Sequence, residues 1–348
     1  MSKTVAISPN LLDQFPRVEL GHVPTPLERL PRLSEMYGVR LHVKRDDCTG
    51  LALGGNKVRQ LEFYLGDALA KNCDTILSTG AVQSNYMRLL AAAASKLGLE
   101  CHIQVEHRVD NPSMEYQCSG NRLLTGLLGS TVHDYHGGQD EKGADRAVHL
   151  IADRLKNQGR RPYVIPLAPT RAPRGALGYA MAAGELIRQT DDLGLSPDLV
   201  VVGSGSGLTH AGLLFGLRLH GSRLPVLGAC VRRNRELQAP RVLDHCSHLS
   251  AMMNIPKLVK KTDVWVDDHA LAPGYGQASR IVTYAVHLAA TREGLLTDPV
   301  YSGKALGCLL HRVQTGKLAG YKEIIFIHTG GTPALFAYRT DVEEYGVK

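Results

Sequence analysis

Short continuous apolar runs recur along the chain, each followed by a longer stretch with helical spacing. The runs cover residues 41–45, 75–78, 100–106, 163–166, 199–203, 225–231, 263–266 and 323–328. Most are unbroken rather than alternating, as expected for strands buried on both faces of a parallel sheet. Between them, Val58, Leu61, Leu65 and Ala68 repeat at helical spacing, as do Met87, Leu90, Ala94 and Leu97. A β-α-β-α order throughout predicts a doubly wound α/β architecture. The 36 glycines and 5% aromatic content suit tight βα turns and argue against an all-β sandwich. A length of 348 residues predicts about two domains. The three prolines of segment 166–174 mark the best candidate boundary.

Several function classes are disfavoured at this stage. No apolar run is long enough to predict a membrane span. No basic segment followed by an apolar stretch marks a secretory signal at residues 1–20. The seven cysteines are dispersed, with no C-x-x-C pair, which predicts reduced thiols in a cytoplasmic protein. The net charge is +7, and its densest basic clusters are Arg232-Arg233-Asn234-Arg235 and Lys257 with Lys260-Lys261. No aromatics are interleaved with them, so a small anionic substrate is favoured over nucleic acid. His245-Cys246-Ser247-His248 has no second half-site for a metal and is expected to be a polar loop.

Three βα junctions carry the candidate chemistry. At the first, Gly54-Gly55-Asn56-Lys57 follows a strand, with Asn56 as expected N-cap and Lys57 at the first helical position. The partial positive charge of a helix start lowers a lysine pKa, which suits an amine nucleophile. The plainer alternative is a surface lysine. At the second, Ser84 or Asn85 opens a helix after a small-residue turn, giving a site for a carboxylate or an ordinary capping loop. At the third, Gly203, Ser204, Gly205, Ser206, Gly207, Leu208 and Thr209 form a phosphate cradle by composition. It lacks the Lys-Ser/Thr pair of a Walker loop and the G-x-G-x-x-G spacing of a nicotinamide site. A nucleophilic lysine, a carboxylate site and a phosphate cradle together point to pyridoxal 5'-phosphate.

These segments are similar to those of the D-cysteine desulfhydrase and 1-aminocyclopropane-1-carboxylate deaminase family, within the tryptophan-synthase-β type of pyridoxal-phosphate enzymes. The resemblance runs from about Phe15 to Tyr338. It is carried by Pro24-Thr25-Pro26-Leu27, Lys44-Arg45-Asp46-Asp47, Gly54-Gly55-Asn56-Lys57, Gln83-Ser84-Asn85, Gly175-Ala176-Leu177-Gly178-Tyr179, the run from Gly203 to Gly212, Pro273-Gly274-Tyr275-Gly276, Asp298-Pro299-Val300-Tyr301 and His328-Thr329-Gly330-Gly331-Thr332-Pro333. It implies two three-layer α/β domains with twisted, mostly parallel sheets and the cofactor in the cleft between them (fold type II). The small domain would span residues 66–169, and the large one 1–65 with 170–348. A homodimer is implied on the same grounds. Lys57 would be the Schiff-base lysine and the base at the substrate α-carbon. Asn85 would bond the cofactor phenolic oxygen, and Ser84 the substrate carboxylate. Ser204 to Thr209 would bind the phosphate, and Tyr275 and Tyr301 would lie over the reacting atoms.

The departures bear on the substrate. Ser302 stands where the deaminase branch has a glutamate, so Thr329 would meet the pyridine nitrogen. A neutral partner there weakens the electron sink, which favours β-elimination over cyclopropane opening. Tyr86 stands in place of histidine, and Leu208 in place of glycine. Arg171 and Arg174 lie before the Gly175 segment; either could bind a second anionic group, or both could be solvated loop residues. The reading is a small-amino-acid lyase that releases sulfide from D-cysteine. Alternatives are L-cysteate sulfo-lyase, 1-aminocyclopropane-1-carboxylate deaminase, a non-catalytic cofactor carrier and a nicotinamide enzyme.

Overall fold

The computed structural model describes residues 9–110, 112–138, 140–169 and 172–346. Ten strands build two sheets: β1 (Leu27–Arg29), β2 (Arg40–Arg45), β3 (Thr75–Ala81), β4 (Glu100–Glu106), β5 (Thr131–Tyr135), β6 (Pro162–Ile165), β7 (Leu199–Ser204), β8 (Val226–Cys230), β9 (Trp265–Asp267) and β10 (Glu323–His328). One sheet has the order β1-β2-β10-β7-β8-β9, and the other β5-β4-β3-β6. All pairings are parallel except β1 with β2. At the centre of the larger sheet Phe326 lies opposite both Val43 and Val201.

Strand periodicity sorts this sheet's side chains between two cores. Val200, Val202, Ile325 and Ile327 pack with the Gly175–Asp192 and Leu208–Leu219 helices. Val201, Phe326, Leu41 and Val43 face the other way, onto the Arg280–Glu293 and Ser302–Gln314 helices. The smaller sheet is covered by the Lys57–Ala70 and Asn85–Leu97 helices on one face and by Glu141–Asn157 on the other. Each sheet is therefore the middle of three layers, as the unbroken apolar runs require.

Two strands escape the apolar-run criterion. β1 is a three-residue antiparallel edge with two exposed positions, and β5 is an edge strand of the smaller sheet with no buried residue. A further correction concerns His245-Cys246-Ser247-His248, which lies inside the Arg235–Met252 helix and not in a loop. Cys246 is buried there against the Ala211 carbonyl.

Glycines set the closest helix approach. The Gly178 Cα faces the backbone of Arg59, and any Cβ there would overlap the Arg59 carbonyl. Gly216 approaches Ala180 in the same way, 2.6 Å separating the carbonyl from an added Cβ. Gly178→Ala is expected to lower stability by about 1–3 kcal/mol, since two backbones must separate. The check is a reduced melting temperature relative to Gly194→Ala. Gly194 has open space around it, and its positive φ carries only local strain.

Candidate active site

In an open α/β sheet the C-terminal strand ends face the ligand crevice. Here both sheets turn those ends onto one cleft. Lys57 follows β2, Ser84 to Tyr86 follow β3, and Arg108 follows β4. Pro166 and Leu167 follow β6, Gly205 to Thr209 follow β7, Arg232 follows β8, and Thr329 follows β10. Tyr275 and Tyr301 complete the wall.

The turn before Lys57 depends on glycine. Gly54 has φ +63°, and a Cβ there would strike the Asp47 backbone. Arg88 Nη2 donates to the Gly54 carbonyl at 2.7 Å, and Asn56 N–H donates to the Thr329 carbonyl at 3.0 Å. Asn56 has helical dihedrals and makes no side-chain cap, contrary to expectation. Its Nδ2 instead donates to Thr209 Oγ1 at 2.8 Å, as does Gln60 Nε2. The lysine turn is thereby stitched to the glycine-serine loop. Among the described residues no carboxylate or hydrogen-bond partner reaches Lys57, and burial alone lowers its pKa to about 8. Lys57 is the first residue of its helix, as expected, and its burial disfavours the charged amine.

Ser84 caps the Asn85–Leu97 helix by accepting from Met87 N–H at 3.4 Å. Asn85 Oδ1 accepts from Asn121 Nδ2 at 2.9 Å, which leaves the Asn85 amide N–H groups as donors at the cleft wall. The Tyr86 hydroxyl is buried with no partner among the described residues. The Tyr275 and Tyr301 hydroxyls meet at 2.5 Å, and burial raises the Tyr301 pKa well above its ordinary value.

Gly207 caps the Leu208–Leu219 helix with φ +93°, so the backbone from Gly205 to Thr209 forms an anion nest at a helix N-terminus. Donors behind the loop hold its carbonyls away from the cleft. Arg233 Nη1 and Gln238 Nε2 donate to the Gly205 carbonyl at 3.1 and 3.2 Å, and Arg241 Nε to the Ser206 carbonyl at 2.8 Å.

Two expected site residues are not part of this wall. Ser204 is fully buried behind the loop and accepts from Gln238 Nε2 at 2.8 Å. Arg174 is not among the lining residues and pairs with Asp67 at 3.1 Å. Arg171 lies outside the described residues. Ser302 also lies off the wall, donating to Asp298 Oδ1 at 2.6 Å. Conversely, Asn56, Gln60, Thr79, Arg108 and Arg232 line the cleft without having been expected there. The two arginines follow the apolar runs of β4 and β8, and that position was the available signal. The basic Arg232-Arg233 cluster is therefore no surface patch: both pair with Glu141 inside the protein.

A lysine of lowered pKa without a counterion, an anion nest of backbone amides and an orphaned buried hydroxyl fit a phosphorylated aldehyde cofactor. Comparison with known proteins agrees. Residues 18–330 match the family described as pyridoxal-phosphate dependent enzyme, and the chain belongs to that family. It is an enzyme whose cofactor is pyridoxal phosphate. It is 41% identical to the D-cysteine desulfhydrase of Salmonella typhi over 332 residues, covering 95% of this chain and 98% of that one. A relative of the same name from Salmonella choleraesuis is 42% identical over the same length and shares. Among solved structures, an ACC deaminase homologue superposes with a TM-score of 0.86 at 35% identity, covering 96% of this chain and 97% of its own. The diaminopropionate ammonia lyase of Escherichia coli shares the fold, with a TM-score of 0.69 at 18% identity, covering 97% of this chain and 91% of its own.

Proposed function

We propose that the protein is a lyase that removes the β-substituent of a small amino acid, with D-cysteine giving pyruvate, ammonia and hydrogen sulfide. The observation that carries this is the unpaired, desolvated Lys57 amine, on the same cleft as the Gly205–Thr209 nest and the Ser84 helix start. Pyridoxal phosphate, when bound, supplies an electron sink that acidifies the α-hydrogen of an attached amino acid. The nest from Gly205 to Thr209 would hold its phosphate. The Asn85 amide would donate to its phenolic oxygen, and the Thr329 hydroxyl would meet its ring nitrogen. Lys57 would anchor it covalently and, as a neutral amine, would take the proton from Cα. Ser84 and the free amides beside it orient the substrate carboxylate. The hydrogen-bonded Tyr275–Tyr301 pair moves a proton to the departing sulfur.

Ser302 supports elimination over cyclopropane opening. Its hydroxyl is committed to Asp298, and no carboxylate lines the cleft among the described residues to enforce protonation of the ring nitrogen. The proposal includes the division into units 66–169 and 1–65 with 170–348, and a cytoplasmic homodimer, as the resemblance implies. No helix of the described residues is long and apolar enough to cross a membrane.

The test is to follow the cofactor absorption of the purified protein while adding D-cysteine or 1-aminocyclopropane-1-carboxylate, assaying oxoacid and sulfide in parallel. A spectral change with D-cysteine, together with equal amounts of pyruvate and sulfide, is expected. Formation of 2-oxobutanoate from the cyclopropane compound in place of these would transfer the protein to the deaminase branch. A spectrum unmoved by either compound would leave another substrate or a cofactor carrier.

A further inference from the structure

The cleft lining carries three cations, Lys57, Arg108 and Arg232, and no aspartate, glutamate or histidine among the described residues. The proposed function uses Lys57 alone of these. Phosphate and α-carboxylate are met by uncharged groups, the Gly205–Thr209 nest and the start of the Asn85–Leu97 helix. Two guanidinium groups therefore face the substrate space without a role.

Both are held in place from behind. Arg108 Nε and Nη2 lie 2.9 and 2.8 Å from Glu106 Oε2, and Glu106 is itself fixed by Thr79 Oγ1 at 2.9 Å. The Arg108 guanidinium sits 5.4 Å from the Tyr275 ring centroid, beside the tyrosine pair. Its Nη2, although close to Glu106, is buried and makes no hydrogen bond of good geometry among the described residues. Arg232 Nη1 donates to Glu141 Oε1 at 2.5 Å. Glu141 is shared, however, with Arg233 and with Arg241 at 3.1 Å. One carboxylate cannot neutralise three guanidinium groups. Arg233 and Arg241 also turn to the carbonyls of Gly205 and Ser206 and do not line the cleft. Arg232 does line it, and burial, followed by the neighbouring charge of Arg108, lowers its pKa. Two like charges gathered at a desolvated wall are stabilised by an anion that both can reach.

We propose that Arg108 and Arg232 form an oxyanion subsite for the substituent on the substrate's β-carbon, so that the substrate class includes 2-amino acids bearing a sulfonate there. A guanidinium fork binds two oxygens of one oxyanion, and the thiol of cysteine offers none. The inference rests on the β-elimination reading above and extends its leaving group. Lys57 takes the α-proton, the Cβ–S bond breaks, and its electron pair leaves on sulfur as sulfite. With one water, cysteate yields pyruvate, ammonium and hydrogensulfite, and no outside oxidant or reductant takes part.

Binding can be read apart from turnover. 3-Sulfopropanoate carries both anionic groups but no amine, and propanoate lacks the sulfonate. Calorimetric titration of the holoenzyme is expected to show at least about tenfold tighter binding of 3-sulfopropanoate. Arg232→Gln leaves Glu141 with two arginines, and Arg108→Lys keeps the charge beside Glu106, so both variants retain their buried partners. Each should cut that preference to about threefold or less, whereas Arg235→Gln, at an exposed neighbour paired with Asp268, should keep it. In turnover, the ratio of kcat/KM for cysteate, tried as both enantiomers, to that for D-cysteine should fall about tenfold in the two variants, whichever way the D-cysteine value moves. Equal binding of the two anions by the unaltered protein, or an unchanged ratio in both variants, would overturn the subsite. Pyruvate from D-cysteine with no anion preference would sink the subsite and keep the elimination reading. An anion preference with no pyruvate from either amino acid would do the reverse.

Discussion

Lys57→Ala is expected to lower pyruvate formation by about 10⁴-fold, because one side chain serves both as cofactor anchor and as base at Cα. The loss should not be a loss of fold. Lys57 has no ion pair among the described residues, and its burial disfavours its own charge. The lysine therefore opposes folding of the cofactor-free protein wherever it must be protonated. Its folded pKa of about 8 lies below the 10.5 of an ordinary lysine. The unfolded chain binds more protons between those values, so stability rises with pH across that window, and below it the penalty is constant. In Lys57→Ala this rise disappears. Thermal melts of cofactor-free protein at pH 7 and pH 10 read the difference directly: the alanine variant gains on the parent at pH 7 and converges with it at pH 10. Cofactor should still be retained non-covalently through the Gly205–Thr209 nest, with the lysine-linked absorption absent. Full turnover in the variant would remove Lys57 from the chemistry. Unfolding at pH 7 would instead make it structural.

What the sequence disclosed follows from where the information is local. Strands buried on both faces appear as unbroken apolar runs, so eight of the ten were visible. β1 and β5 are edges whose polar positions face solvent, and no run marks them. The glycine-serine loop and the Gly54-Gly55 turn were readable because backbone geometry selects glycine at adjacent positions. Asn56 shows the limit. The residue before a helix is a cap by local rule, yet its amide is taken by Thr209, far along the chain. The same limit hid the second anion subsite. Arg171 and Arg174 drew attention as neighbours in sequence, but Asp67, contributed by another helix, claims Arg174. Arg108 and Arg232 become neighbours only when two sheets bring their strand ends together. The charge count gave an excess of positive residues without saying where it lies. The structure puts part of it inside, around Glu141.

Arg59→Met is expected to destabilise the protein by about 3–5 kcal/mol, because it takes the shared guanidinium from two buried carboxylates and leaves Lys44 alone to pair with them. Arg59 Nη2 lies 3.0 Å from Asp46 Oδ1 and 2.9 Å from Glu185 Oε1, and Nη1 reaches Glu185 Oε2 at 2.9 Å. Lys44 also pairs with Glu185, and Tyr179 donates to Asp46. The cluster joins β2, the helix carrying Lys57 and the Gly175–Asp192 helix, with Thr25 N–H donating to Glu185 as well. Burial alone would raise both carboxyl pKa values, but the guanidinium beside them holds both below the ordinary range. Carboxylates with depressed folded pKa stabilise the fold above their unfolded values near pH 4, and that contribution is lost as pH falls through the depressed values. Without Arg59 the depression is weakened, and the acid-unfolding midpoint should move toward neutral pH. Lys71→Met, which removes an exposed partner of Asp67 at the far end of the same helix, should change stability by less than about 1 kcal/mol and leave that midpoint in place. Denaturant titrations at pH 7 and pH 5 separate the two variants. An Arg59→Met protein as stable as Lys71→Met at both pH values would show that the cluster is not what holds the lysine helix against the larger sheet. The expected outcome gives it that role: Lys57 lies two residues from Arg59, so the charged cluster that seats the helix also fixes the position of the amine.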